Sequence, residues 1–401
     1  MFGKHLKDVF CDDEQITFLN HGSYGKVPLV VETSQIELFK FSNRLSSKFA
    51  YETSIELLKE NLEATCEMIG IPDLVENAAL INNVTSGVNS IFRNFIFEEG
   101  DTIITTSMLY GAYPTLVDQV CDENKLNHLK IDIRIDDNIN DMIDKFKEGV
   151  AKSSGKQVFA FVEWIASSPA LLYPIEEIID VLHEKDCTVM IDAAHVPGQI
   201  PKTTISKIIR KSDIFVADIH KWSFCVRGCA ILVVSKTYSK YFYPNIVSWH
   251  YNDSTPFSRF HTLGTEDRLE RFSVIAARKF MESIGGFDEI HKYCCKIVSE
   301  IVEYIIDNIP ESKLAVQGKT TAPYMRLISL PPAFSKLPKT QSLIDEGLPL
   351  RLMKHFQSVY KMDLLFVTIE GELFLRISGS VYNSIDDAIA FVNAYYKYIN
   401  Q

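Results

Sequence analysis

Three stretches of this 401-residue sequence put reactive or anion-binding groups at the ends of apolar runs. CTVMID (187–192) closes on Asp192. A carboxylate that ends a buried strand needs a partner, because burying it alone is costly. That partner is either local, as in a turn or helix cap, or a cation such as a protonated ring nitrogen. His195 follows three residues on and shares the same mouth. DIFVAD (213–218) leads into IHKW, which sets Lys221 between His220 and Trp222. Most lysines are solvated surface groups. A lysine desolvated at a strand end becomes an amine nucleophile suited to a Schiff base. AALIN (78–82) runs into NNVTSGVNS (82–90), which opens a helix. Hydroxyl residues and a glycine at a helix N-terminus favour an anion. The same residues also make an ordinary Thr/Ser cap.

These groups are only useful together if one sheet carries them. The middle of the chain alternates short Val/Ile-rich runs with helical patterns. The runs are 78–82, 101–106, 129–135, 157–164, 187–192, 213–218 and 229–235. Seven such runs separated by helices predict a mainly parallel α/β sheet between helices. The pattern changes near Arg268. A helical stretch over about 271–308, broken at Gly285-Gly286, is followed by YMRLISL (324–330) and a Pro-rich loop (331–338). A helix near 350–360, two strands in LLFVTIEG and ELFLRIS, and a last helix in IDDAIAFVNAYYKYI complete a smaller α+β domain.

Composition narrows the classes. Hydrophobic residues are 46% and charged residues 23%, which is enough apolar material for a large core. The net charge of −11 argues against nucleic acid as a partner. The sequence has no apolar run long enough to span a membrane. The charged start MFGKHLKDVFCDDEQ does not read as a signal peptide. Eight scattered cysteines without a Cys-x-x-Cys pair read as reduced, mostly buried thiols, which fits a cytoplasmic protein and no metal site. No G-x-G-x-x-G follows a strand, which sets a dinucleotide site aside.

In an open α/β sheet, ligands sit at the carboxyl ends of the strands. An anion cradle, a strand-end Asp and a strand-end Lys, in that order, are the parts that pyridoxal 5′-phosphate requires for its phosphate, ring nitrogen and aldehyde.

The sequence also resembles the class V aminotransferase family of pyridoxal-phosphate enzymes (fold type I). Within it, the chain is similar to the isopenicillin N epimerase-like and hercynylcysteine sulfoxide lyase-like subgroup. The stretches that carry the resemblance are FLNHGSYGKVP (18–28), NNVTSGVNS (82–90), YGAYPT (110–115), SSPALLYPI (167–175), IDAAHVPGQIP (191–201), IHKW (219–222), LGTED (263–267), SIGGFDEI (283–290) and RISGSVYN (376–383). They run in family order across nearly the whole chain.

The resemblance implies roles. Lys221 matches the lysine that binds the cofactor aldehyde, and Asp192 the partner of the ring nitrogen. His195 matches a contact of the ring 3′-oxygen, and Tyr110 the aromatic stacked on the ring. Thr85, Ser86 and His220 match phosphate contacts, and Ser167 a residue at the ring edge. Thr265 matches a residue reaching the neighbouring subunit's phosphate, which implies a homodimer with active sites at the interface. Arg376 matches the grip on a substrate α-carboxylate, and Asn20 and His21 a loop bordering the substrate. The implied layout is an N-terminal segment 1–30 at the active site, a large cofactor domain 31–267 and a small domain 268–401.

Two features depart from the family pattern. Asp218 stands where a small polar residue is common; beside a phosphate it would have to point elsewhere or pair with a base. The turn WSFCVRG carries Cys225 and Arg227. Trp222 and Trp249 read as packing residues, and Cys294-Cys295 as core or half-exposed thiols.

Residues 296–401 hold no cysteine, which argues against a desulfurase that uses a persulfide-forming Cys there. The reading is a C–S β-lyase acting on an amino-acid-type substrate through Lys221. Epimerase and aminotransferase are the alternatives, and a family member that has lost catalysis stands behind them.

Overall fold

The computed structural model describes residues 2–10, 16–153, 156–336 and 347–400. Seven strands form the central sheet: β1 (Ala78–Ile81), β2 (Thr102–Thr106), β3 (Asn127–Ile131), β4 (Val158–Glu163), β5 (Thr188–Asp192), β6 (Ile214–Asp218) and β7 (Ala230–Val234). Their order is β1-β7-β6-β5-β4-β2-β3. The five strands from β6 to β3 run parallel, and β7 is antiparallel to both its neighbours. The expected mainly parallel seven-stranded sheet is therefore present.

Side chains alternate between its faces with the period of two that a pleated strand imposes. Phe159, Phe161 and Met190 pack on one side with Phe92 and Val88. Ala160, Val162, Val189 and Ile191 pack on the other with Ile178 and Ile205. Both faces are covered, so the central strands are apolar throughout.

One strand differs from expectation. The run 129–135 predicts a strand there, but β3 spans Asn127–Ile131. It lies at the sheet edge with a mostly exposed face, so its pairing with β2 rather than an apolar run sets its limits.

Beyond the sheet, helices Val274–Ser283 and Gly286–Asn308 break at Gly285-Gly286 as expected. Gly285 has φ +115, a conformation that suits glycine. The C-terminal domain is an antiparallel sheet of β8 (Lys313–Leu314), β9 (Met325–Ser329), β10 (Leu365–Ile369) and β11 (Glu372–Ser378), in the order β8-β9-β11-β10. Helices Gly286–Asn308, Leu348–Tyr360 and Ile385–Ile399 contribute to its core. Pro332–Lys336 forms a short 3-10 helix, and residues 337–338 of the expected Pro-rich loop lie outside the described residues, as does Cys11. The other seven cysteines are free thiols.

The N-terminal segment belongs structurally with this domain. Thr17–Phe18 pairs with Met362–Asp363 in parallel, and the Ser378 amide donates to the Leu19 carbonyl at 2.8 Å. That pairing brings residues 20–25 to the end of β11, beside the mouth of the large sheet. Helices Leu29–Arg44 and Ser54–Met68, which the hydrophobic pattern did not single out, then return the chain to the sheet. Among the described residues no helix is long and apolar enough to cross a membrane.

Candidate active site

At the carboxyl ends of β4, β5 and β6 lies a cavity of about 500 Å³, within the range of small-molecule sites. Its wall includes Thr85, Ser86, Tyr110, Ser167, Asp192, His195, His220 and Lys221. Eight residues picked out in the sequence thus converge on one space.

The base of the cavity is a row of acids. Glu163, Asp192 and Asp218 each end a strand, and Glu163 stands opposite Asp192 in the β4–β5 ladder. All three are buried. Burial raises the Asp192 carboxyl to about 6, against the Ala194 amide, Lys221 and Tyr113, which favour its charge. Burial and the nearby Asp192 push Glu163 well above the usual carboxylate range. Burial thus favours the neutral form of Glu163. Glu163 Oε1 accepts the Tyr110 amide at 3.2 Å, while Oε2 has no hydrogen-bond partner among the described residues.

Lys221 stands over this row with its side chain 13% exposed. Its Nζ pairs with Asp218 Oδ2 at 3.1 Å and lies 3.4 Å from His195 Nε2. Asp218 thus pairs with a base, one of the two outcomes its sequence position required. The other Asp218 oxygen accepts the Val84 amide at 3.1 Å, at the first turn of helix Val84–Asn94. Asn83 caps that helix by accepting the Ser86 amide at 2.8 Å. The helix end that should attract an anion already holds one carboxylate.

The backbone around Lys221 is tightly placed. Gly25, at φ +70, runs against it; a Cβ there would lie 2.4 Å from the His220 carbonyl oxygen and 2.8 Å from that of Lys221. Only glycine fits this approach.

Arg376 is fully buried in β11 but does not line the cavity wall. It sits behind Ser23 and Ser167, which do. Nη1 donates to the Ser167 carbonyl (2.9 Å) and hydroxyl (3.1 Å); Nη2 donates to Ser23 Oγ (2.8 Å) and Asn20 Oδ1 (3.2 Å). Nε has no partner. Every acceptor is neutral, and among the described residues no carboxylate lies within 4 Å of it. Burial lowers its proton affinity to about 10, still well above neutral pH. A buried cation without a counter-ion is costly.

The remaining candidates lie apart. His21 is buried behind the wall, its Nδ1 2.8 Å from Tyr382 Oη, and burial lowers it to about 3. Thr265 is exposed and outside this chain's cavity. Trp249, expected to pack, is 84% exposed. Trp222 does pack, but its indole N–H also reaches His195. Glu163, Tyr113, Asn83 and Ser23 line the cavity without having been singled out. Glu163 carried the signal already used for Asp192, a carboxylate closing an apolar run, but Trp164 extends that run past it.

The fold and this site together define an enzyme of the pyridoxal-phosphate type. The class-V aminotransferase family model matches residues 20–387, and the chain belongs to that family. It is 24% identical to the L-cysteine desulfhydrase-like protein lolT1 of Epichloe uncinata, over 96% of this chain and 93% of that protein. It is 24% identical to the hercynylcysteine sulfoxide lyase of Schizosaccharomyces pombe, over 95% and 94%. The structure of the cystine C–S lyase C-DES with its product cysteine persulfide superposes with a TM-score of 0.77 at 14% identity, covering 95% of this chain and 97% of that one.

The residues present fit the family's cofactor. An ionisable carboxyl closes β5, a partly buried amine lines the same cavity, and Thr85 and Ser86 stand at a helix N-terminus. Asp218 is the one group of the wrong charge for a phosphate there.

Proposed function

We propose that this chain is a cytoplasmic, homodimeric C–S β-lyase that cleaves a cysteine S-conjugate or cysteine sulfoxide. The observation that carries the amino-acid reading is Arg376, a buried guanidinium that, among the described residues, donates only to neutral oxygens behind Ser23 and Ser167. Its planar fork suits a bidentate carboxylate. Asn20 and Ser23, on the segment paired to β11, are the acceptors that a substrate carboxylate would replace.

Asp192 would hold the ring nitrogen of pyridoxal phosphate, and Thr85, Ser86 and His220 would hold its phosphate. Tyr110 would lie against the ring and Ser167 at its edge. When bound, the group supplies an electron sink conjugated to the substrate α-carbon. Lys221 is the amine among the lining residues, and it takes the α-proton as general base. The C–S bond then breaks, and its electron pair leaves with sulfur, which gains a proton. Water hydrolyses the remaining 2-aminoacrylate to pyruvate and ammonium.

Several features support elimination. Both curated relatives named above carry C–S cleaving names. Residues 296–401 contain no cysteine to receive a persulfide. For the homodimer, Thr265, exposed and outside its own cavity, would be left for a neighbouring subunit, and Ser23 and Tyr24 would border the substrate side. The test is to incubate the cofactor-loaded protein with a cysteine S-conjugate and a cysteine sulfoxide. Pyruvate and ammonium in equal amounts support the lyase. Inverted substrate, or amino transfer to a keto acid without pyruvate, overturns it.

A further inference from the structure

Trp222 packs as an aromatic should, with its ring 5.5 Å from Tyr324 in a T-shaped pair and 5.1 Å from His21. Its nitrogen has a more specific partner. Nε1–H donates to His195 Nδ1 at 3.3 Å. An indole N–H is a donor only, so Nδ1 must present its lone pair. A neutral imidazole that accepts at Nδ1 carries its hydrogen on Nε2. That nitrogen faces Lys221 Nζ at 3.4 Å; the ammonium has Asp218 Oδ2 at 3.1 Å to donate to instead, whereas His195 is the acceptor the indole N–H finds among the described residues.

A second proton on His195 would have to enter at Nδ1, against the indole hydrogen. The ring is 1% exposed, and Lys221, Arg376 and His220 all oppose further positive charge there. Asp218, an acid lining the same cavity, is already engaged by Lys221 and the Val84 amide.

We propose that Trp222 is a positioning residue that fixes His195 as a neutral Nε2–H donor beside Lys221. The inference rests on the functional reading above for what the donor meets, namely an oxygen acceptor held next to the lysine amine. It also assigns a negative role. His195 has no free lone pair on that side, so it does not compete with Lys221 for the substrate α-proton.

The tautomer is measurable without turnover. In cofactor-free protein labelled with 15N-histidine, two-bond proton–nitrogen correlations assign which ring nitrogen of His195 bears hydrogen. The expected result at neutral pH is a protonated Nε2 and an unprotonated Nδ1. Trp222→Phe keeps the ring but not the N–H, and should give a mixture of both tautomers. Replacing Trp222 by its benzothienyl isostere, with sulfur in place of N–H, should do the same with less disturbance of packing. In the loaded enzyme, either change should lower kcat about fivefold, the loss of one neutral hydrogen bond, with KM within twofold. Hydrogen on Nδ1 in the unaltered protein, a doubly protonated ring, or an unchanged tautomer in both replacements would overturn the proposal. If no cofactor binds at all, the functional reading fails while the tautomer result stands on its own.

Discussion

Asp218 and Lys221 form a partly buried ion pair at 3.1 Å, and the same carboxylate accepts the Val84 amide at the mouth of helix Val84–Asn94. One acid therefore restrains the reactive amine and also occupies the helix end best suited to a phosphate. These two roles pull in opposite directions for cofactor binding.

Replacing Asp218 separates them. Asp218→Ser frees the Val84 amide and removes a like charge from the cradle. The cofactor-free protein should then bind pyridoxal phosphate about five- to tenfold more tightly, on the order of 1 kcal/mol. Titration of the visible absorbance checks this. Equal or weaker binding in a folded variant would mean that Asp218 does not face the phosphate.

The pH dependence follows from Asp192. Burial raises its pKa from 3.8 to about 6. The folded, cofactor-free protein holds this proton more tightly than the unfolded chain, so its contribution to stability falls as pH rises from about 4 to about 6. Binding of a protonated ring nitrogen needs the ionised carboxylate. Cofactor affinity should therefore rise through about pH 6. Asp192→Asn should bind weakly and lose the part of the dependence due to this residue, which separates it from titration of the phosphate itself.

His21 gives the opposite slope. Its folded pKa is lowered from 6.5 to about 3 by burial. The unfolded chain binds the proton that the folded chain refuses, so stability falls as pH drops below about 6.5. His21→Gln should lessen this acid sensitivity, read as the change in thermal midpoint between pH 7 and pH 5. An unchanged difference between the two pH values would show that His21 is protonated in the fold.

Arg376 should govern substrate affinity. Arg376→Lys keeps a positive charge but loses the bidentate fork. A loss of kcat/KM near 10²-fold, carried mainly by KM, is expected for a charged hydrogen bond of about 2–3 kcal/mol. A fall in kcat alone, with KM unchanged, would remove Arg376 from carboxylate binding.

The parts of the site that close apolar strands were legible in the sequence. Asp192 and Lys221 follow continuous buried runs, and strand ends in an α/β sheet face the ligand. Arg376 was placed by the family resemblance, and it is a charge within the otherwise apolar stretch LFLRIS. Other relations depend on tertiary placement. Asn20 and Ser23 meet Arg376 only because Thr17–Phe18 pairs with Met362–Asp363. The edge strand β3 was misplaced because an exposed face lacks the apolar signature. The direction of the Trp222 N–H is a matter of rotamer and packing, so its spacing from His195 suggested nothing.

The central claim is that Lys221 is the amine on which cofactor binding and C–S cleavage both depend. The most direct measurement compares the wild-type protein with Lys221→Ala after each is supplied with pyridoxal phosphate and a cysteine S-conjugate or sulfoxide. Wild type should show the visible band of protein-bound cofactor and release pyruvate. Lys221→Ala should lose that band and at least about 10³-fold of the pyruvate rate, as expected for removal of a group acting as both nucleophile and base. A variant that keeps the band and the rate, or a wild type that shows neither, would contradict the account.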